Sequence, residues 1–333
     1  MTELIKELCN LDGTSGSEKT VRDYIISKID GFCDWKIDPL GNILVEKKGK
    51  QPSEVRVMFD AHTDEVGFIV TKVCENGFLS FKTVGGIETS ALMFRRVKIN
   101  GLNGVIGGKP IHLLKGDAAK TLPESGSLYI DIGATSFMEA SNFVSPGDTG
   151  VICGDFCENN DLYLSKALDD RVGCAVLIEL IRNESEYDFC ASFSVQEEIG
   201  CRGCRAAAFT LNPEIAFCLE GTTAADVSGV PEERTVCKVG SGVAVSFMDG
   251  GCMYDRELFE TAKQSGLPVQ VKCAATGGND SAGIHLSRGG VRTLALSVPC
   301  RYIHSCSSVC SKKDCESMLL LSKYMLKAVN QGL

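Results

Sequence analysis

Val55-Arg56-Val57-Met58-Phe59-Asp60-Ala61-His62-Thr63-Asp64 is the stretch from which the rest of this 333-residue chain can be understood. Its first half is a compact apolar run suited to an interior strand. Its second half sets polar residues just past the predicted strand end. The same arrangement returns three times. A predicted strand over 189–195 leads into Gln196-Glu197-Glu198, and one over 215–219 into Glu220. A third, over 293–298, leads into Pro299-Cys300-Arg301-Tyr302-Ile303-His304.

Helical spacing lies between these strands. Residues 3–8 predict a first helix, ended by the turn-rich Asp12-Gly13-Thr14-Ser15-Gly16. Ser17 is placed to cap a second helix over 18–29, with Val21, Tyr24, Ile25 and Ile29 on one face. Residues 169–181 carry Val172, Ala175, Val176 and Leu180 at helical spacing. Residues 312–330 form an apolar-striped helix, with Ser311 and Asp314 spaced to cap it. Strands alternating with helices predict an α/β sheet covered on both faces.

Residues 66–161 read differently. Short predicted strands (78–81, 96–99, 127–132) are separated by Asn100-Gly101, Asn103-Gly104 and Pro146-Gly147-Asp148, a pattern of small barrels and sandwiches. The expected architecture is a three-layer αβα domain with a mostly parallel mixed sheet, built from 1–65 and 162–333. A barrel-like β domain, 66–161, is inserted into it.

Composition excludes several functions. The net charge of -9 argues against nucleic-acid binding, which needs clustered Lys and Arg. The opening MTELIKELCN has no basic start followed by an apolar run, so no signal peptide is expected. No apolar stretch of about 18 residues is present to span a membrane. Of the 17 cysteines, Cys201 and Cys204 form a CxxC with no second pair to complete a zinc ribbon. The expectation is reduced thiols, mostly small core residues, in a reducing cytoplasm.

In an open α/β sheet, ligands bind beyond the carboxyl ends of the strands. If the four strands are parallel neighbours, their polar ends converge with Asp169-Asp170 on one crevice. Imidazoles and carboxylates meeting there make a site for divalent metal. Taken singly, each segment has an ordinary reading. His62-x-Asp64 is commonplace at a strand end. Glu197-Glu198 repel unless a cation or proton relieves them, yet a solvated loop also holds such a pair. Asp169-Asp170 suits a helix start, and a lone histidine is more often hydrogen-bonded than ligating. The conjunction favours a site.

The ordered set His62-x-Asp64, Ala167-Leu168-Asp169-Asp170-Arg171, Gln196-Glu197-Glu198-Ile199-Gly200, Glu220 and Arg301-Tyr302-Ile303-His304-Ser305 resembles the tetrahedral (glutamyl or deblocking) aminopeptidase family. These are co-catalytic metallopeptidases, some of which carry endoglucanase names. The resemblance covers nearly the whole chain, including Gly13-Thr14-Ser15-Gly16, Gly277-Gly278-Asn279-Asp280 and the β insertion, which in the family contributes to oligomer contacts.

The resemblance implies a metal-dependent aminopeptidase acting on small peptides, through a water activated by two bridged divalent ions and a glutamate base. Asp169 would bridge the ions. His62 and Glu220 would complete one site, Glu198 and His304 the other. Glu197 would be the general base, and Asp64 would hold the His62 ring. The Asp169–Asp170 peptide would be cis. Zinc, cobalt and manganese all suit this donor set. The family further implies a homo-oligomer, dimers assembling into a tetrahedral dodecamer.

Glu220 departs from the aspartate of many members. It leaves open a di-metal carboxypeptidase or deacylase on the same scaffold. A glycosidase would leave the two histidines without a task. Asp226 is the substitute ligand to weigh against Glu220. His112, His285, Arg256 and Arg288 read as structural or surface residues.

Overall fold

The structure is a computed structural model that describes residues 1–113, 121–273 and 277–333. Residues 114–120 of the expected insertion lie outside the described residues. The strands are β1 (Asp34–Ile37), β2 (Ile43–Lys47), β3 (Val57–His62), β4 (Gly67–Val73), β5 (Leu79–Val84), β6 (Arg96–Ile99), β7 (Leu102–Gly107), β8 (Tyr129–Asp131), β9 (Thr149–Ile152), β10 (Cys157–Asn159), β11 (Leu162–Ser165), β12 (Phe189–Ser194), β13 (Ile215–Thr223), β14 (Val243–Val245), β15 (Val269–Val271), β16 (Arg292–Arg301) and β17 (Ser308–Ser311). The helices are α1 (Thr2–Asn10), α2 (Lys19–Ile29), α3 (Thr89–Leu92), α4 (Phe137–Ser141), α5 (Leu168–Arg182), α6 (Arg202–Leu211), α7 (Arg256–Lys263), α8 (Ser281–Ile284) and α9 (Lys312–Asn330). None of the described helices is long and apolar enough to cross a membrane.

The main sheet runs β1-β2-β12-β3-β13-β16-β17-β11-β10, with β14 and β15 added beside β16. Its four central strands, β12, β3, β13 and β16, are mutually parallel. Antiparallel partners flank them on both sides. Side-chain alternation along a strand explains the layering. Val57, Phe59 and Ala61 of β3 join the core under α1, α2, α5 and α9. Met58 points the other way, into the core under α6 and α8. A strand buried on both faces must be apolar on both, as β3 is up to Asp60.

The remaining strands close a six-stranded barrel, β4-β5-β8-β7-β6-β9, with antiparallel neighbours throughout. Phe68, Val70, Leu79, Val97, Ile106 and Ile130 fill it. Closure removes the unpaired edges that such short strands would otherwise expose.

Several local expectations need correction. β3 runs on through Asp60 to His62, and β13 through Glu220 to Thr223, so these acids lie within strands. The ladder continues because the polar side chain finds a partner: Ser192 donates to Asp60. Ser17 does not cap α2. Its hydroxyl meets Thr149 at 2.8 Å, and Glu18 occupies the cap position. Asp314 does not cap α9. It accepts the Gly240 and Gly242 N–H groups at 2.7 and 2.8 Å. Two short helices, α3 and α4, appear where the sequence shows no helical pattern; Ser136 caps the second by accepting from Glu139 N–H. All seventeen cysteines are free, and most are buried.

Candidate metal centre

The parallel register brings the strand ends level. Ser194 lies opposite His62, and Glu220 opposite Ser297. From β3 come His62 and, just beyond it, Asp64. Glu197 and Glu198 follow β12, Glu220 lies in β13, and His304 follows β16. Asp169 stands at the start of α5, where it and Asp170 keep non-helical backbone and the peptide between them is cis.

Overlapping clusters of donor atoms result, one of them His62, Glu197 and Glu198. His62, Asp169 and Glu220 offer atoms within 4.8 Å of one another, and so do Asp169, Glu198 and His304. Asp169 belongs to both. Its Oδ1 is 3.4 Å from His62 Nε2, and its Oδ2 is 3.4 Å from His304 Nε2. Glu220 Oε2 is 3.7 Å from His62 Nε2, and Glu198 Oε2 is 3.3 Å from His304 Nε2. Glu197 Oε2 lies 3.9 Å from His62 Nε2.

The ring of His62 is set by Nδ1, 3.1 Å from the Asp64 backbone oxygen and 3.4 Å from Asp64 Oδ1. The Asp64 carboxylate does more than face the ring. It accepts the backbone N–H groups of Glu197 at 2.9 Å and Glu198 at 3.1 Å, and the Ser15 hydroxyl at 2.6 Å. One buried carboxylate thus fixes a histidine and both adjacent glutamates. His304 has a left-handed backbone (φ 58°), and its Nδ1 is 3.0 Å from the Gly86 carbonyl oxygen, in the segment after β5.

The electrostatics are those of an anion-rich, buried site. Burial alone would raise the Asp169 carboxyl, but hydrogen bonds from His304 and His62 hold it well below the ordinary range. Burial pushes the Glu197 carboxyl up to about 8, against the opposing pull of His62. Burial likewise drives Glu198 and Glu220 upward. For His304, burial opposes charging, yet the Asp169 hydrogen bond and the Glu198 charge push its pKa up to about 9. Five acids (Asp64, Asp169, Glu197, Glu198 and Glu220) around two imidazoles make ionising Glu197, Glu198 and Glu220 costly. Divalent cations relieve that cost, with the oxygen and nitrogen donors they bind.

A cavity of about 320 Å³ opens beside Asp169 and His304, walled by Gly221, Thr222, Lys272 and Ile303 among others. Other sequence candidates fall outside the centre. Asp226 accepts both Nε and Nη2 of Arg301, at 2.8 and 2.7 Å, and is thereby committed. Arg288 donates to the Phe209 carbonyl oxygen and stacks on its ring. His285 Nδ1 meets Ser281 O at 2.8 Å.

Sequence reading passed over the supports. Glu65, buried beside Asp64, takes Lys166 Nζ at 2.7 and 2.8 Å, Arg171 Nη2 at 3.3 Å and Gly13 N–H at 3.1 Å. It ties the N-terminal turn to the entry of α5. Its only signal in the sequence is its place after His62-x-Asp64. Asp60 and Asp280 form a further buried acid pair behind the centre, with Ser194 between them.

Comparison with known proteins agrees with this geometry. Residues 41–321 match the profile of the M42 glutamyl aminopeptidase family. The lysyl aminopeptidase of Pyrococcus furiosus is 31% identical over 343 residues, covering 98% of this chain and 96% of the relative. A TET aminopeptidase structure from a marine sediment thaumarchaeon superimposes with a TM-score of 0.93 at 32% identity, covering 99% and 98% of the two chains. The TET1 peptidase of Pyrococcus horikoshii, described as assembling into a tetrahedron or a large octahedral shell, gives 0.85 at 32% identity over 98% of each chain. With its sequence and fold matched over nearly their whole length, the chain belongs to the M42 glutamyl aminopeptidase family of metallopeptidases and is a hydrolase of peptide bonds.

Proposed function

We propose that the protein removes the N-terminal residue of small peptides, using two divalent cations held by His62, Asp169 and Glu220 on one side and by Asp169, Glu198 and His304 on the other. The observation that carries this reading is Asp169, whose two oxygens each face a different imidazole at 3.4 Å. A carboxylate so shared offsets the repulsion of two neighbouring cations. Zinc, cobalt and manganese are all compatible with the donor set. Such ions supply Lewis acidity toward the scissile carbonyl and ease deprotonation of a water.

The chain's own groups do the rest. Glu197, partly exposed to the crevice, accepts a proton from the attacking water and returns it to the leaving amine. Asp64 keeps Glu197 and Glu198 in place through their backbone N–H groups. Asp64 and its own backbone carbonyl orient His62, and Gly86 orients His304. The first side chain of the peptide occupies the cavity beside Asp169.

The wider reading has the protein working in the cytoplasm, with neither nucleic acid nor membrane as a partner. It forms a homo-oligomer of dimers, up to a dodecamer, in which residues 66–161 act as an inserted domain supplying contacts. The likeness to the TET1 peptidase supports this assembly.

The test is hydrolysis of paired free and N-acetylated peptides by metal-loaded protein and by Glu197→Gln, with bound metal measured in both. Cleavage of free N-termini only, by the parent only, with metal retained in the variant, is the expected result. Equal cleavage of acetylated peptides would favour a deacylase or carboxypeptidase instead.

A further inference from the structure

A further set of donor atoms lies against these clusters. Cys201 Sγ, a Glu197 oxygen and an Asp280 oxygen fall within 4.8 Å of one another. Cys201 sits at the entry to α6, and its thiol donates to Glu197 Oε1 at 3.5 Å and to the Asn279 carbonyl oxygen at 3.2 Å. Two ligands at about 2.1 and 2.3 Å in a tetrahedron stand about 3.6 Å apart, so the Cys201–Glu197 pair is already at ligand spacing.

Asp280 supplies the second, independent observation. It is fully buried. Its Oδ2 accepts from the Ser194 hydroxyl at 2.5 Å, but its Oδ1 has no hydrogen-bond partner. Burial and the Asp280 charge hold the neighbouring Asp60 carboxyl well above its ordinary range, so Asp60 supplies no counter-charge. A buried carboxylate oxygen left without a donor is costly, and a cation satisfies it. The thiol then sets the choice of cation. Thiolate is a soft ligand that favours zinc and its heavier congener cadmium, whereas carboxylates alone suit manganese or magnesium.

We propose that Cys201, Glu197 and Asp280 form a separate inhibitory seat for a thiophilic divalent cation. Binding releases the thiol proton to solvent and forms a sulfur–metal bond, with no change of oxidation state. Because Glu197 becomes a ligand there, it is withdrawn from proton transfer. Excess zinc or cadmium would therefore slow the enzyme, while hard cations would not. The inhibition rests on the general-base reading of Glu197; the binding does not.

The experiment titrates cadmium into metal-loaded protein. It follows thiolate-to-cadmium absorption in the ultraviolet, cadmium bound per chain and the rate on a free peptide. The parent is expected to bind one more cadmium than Cys201→Ser or Cys201→Ala, with an absorption increment those variants lack and inhibition that tracks it. Asp280→Asn should keep the increment but weaken that binding roughly tenfold or more. Cys157→Ser and Cys273→Ser, which remove exposed thiols, should keep the increment whole. They and Asp280→Asn carry the test should the Cys201 variants fail to fold. An increment unchanged in the Cys201 variants, or abolished in Cys157→Ser or Cys273→Ser, overturns the seat. An extra cadmium at Cys201 that leaves the rate untouched overturns the inhibition; if Glu197→Gln is nonetheless inactive, the general-base reading survives.

Discussion

Replacing Glu65 with glutamine tests whether the buried charges around the entry of α5 support the fold. Glu65 and Lys166 are 3% and 5% exposed, and Arg171 is wholly buried. Lys166 approaches at 2.7 Å and Arg171 at 3.3 Å. At an effective dielectric constant of about 20, each attraction is about 5–6 kcal/mol before desolvation is counted. Glutamine keeps the size and an acceptor for Gly13 N–H but leaves two buried cations without a counter-charge. Removing one partner of a buried pair costs about 3–5 kcal/mol. Against a whole-domain stability of about 5–15 kcal/mol, that is a large loss. Urea unfolding followed by circular dichroism, at matched protein concentration, measures it. Adding Lys166→Met to Glu65→Gln should recover part of the loss, since only Arg171 then lacks a counter-charge. A loss under about 1 kcal/mol, the range of an exposed pair, would refute the reasoning.

Other outcomes follow from the same geometry. Asp64→Ala should lower metal affinity roughly 10–100-fold, because His62, Glu197 and Glu198 lose a common anchor; equilibrium dialysis against a competing chelator reads it, and unchanged affinity would show the anchor to be dispensable. Lys272 makes no ion pair among the described residues and walls the cavity beside Asp169. Lys272→Glu should lower kcat/KM for acidic N-terminal residues relative to basic ones about tenfold, from about 1.4 kcal/mol of altered charge interaction; an unchanged preference across a peptide panel would place the first side chain elsewhere. Burial pushes the Asp314 carboxyl up to about 6, despite the N–H groups of Gly240 and Gly242. A folded pKa above the ordinary value favours the protonated form, so this stability is full below about pH 4 and lost as pH rises through about 6. The amount is on the order of 2–3 kcal/mol. Asp314→Asn should therefore gain on the parent between these pH values in urea midpoints, and parallel profiles would contradict this.

Much of this molecule can be read along the chain, and the exceptions have physical causes. The run from Val57 to Phe59, buried on both faces, announces an interior strand; the turn spacing within 66–161 announces the sheet that closes from β4 to β9, although β10 in the same span joins the main sheet. The meeting of His62, Asp169, Glu198, Glu220 and His304 follows from strands that are parallel neighbours, because their carboxyl ends then share one edge. The strand ends were harder to see. Asp60 and Glu220 look like loop residues, yet sit in the ladder because partners far away in sequence satisfy them. Ser192 serves Asp60, and the Asp280 N–H approaches Glu220. The same holds for Ser17 and Asp314, which look like local caps and serve Thr149 and the Gly240 turn. Glu65 gathers residues 13, 166 and 171, a grouping that no local pattern encodes.

The contact between His304 and the Gly86 carbonyl oxygen has a mechanical meaning. His304 is the one candidate ligand whose ring is held from the segment leaving the barrel strand β5; the others are carried by the main sheet and its loops. If cations bind as proposed, a small rotation of barrel against sheet would therefore disturb the cluster that holds His304 more than the one that holds His62. Thermodynamic linkage runs both ways: whatever that joint does to ion affinity, ion binding must do to the joint. Hydrogen exchange at residues 85–87 should thus slow as metal loads, making this hinge a gauge of occupancy.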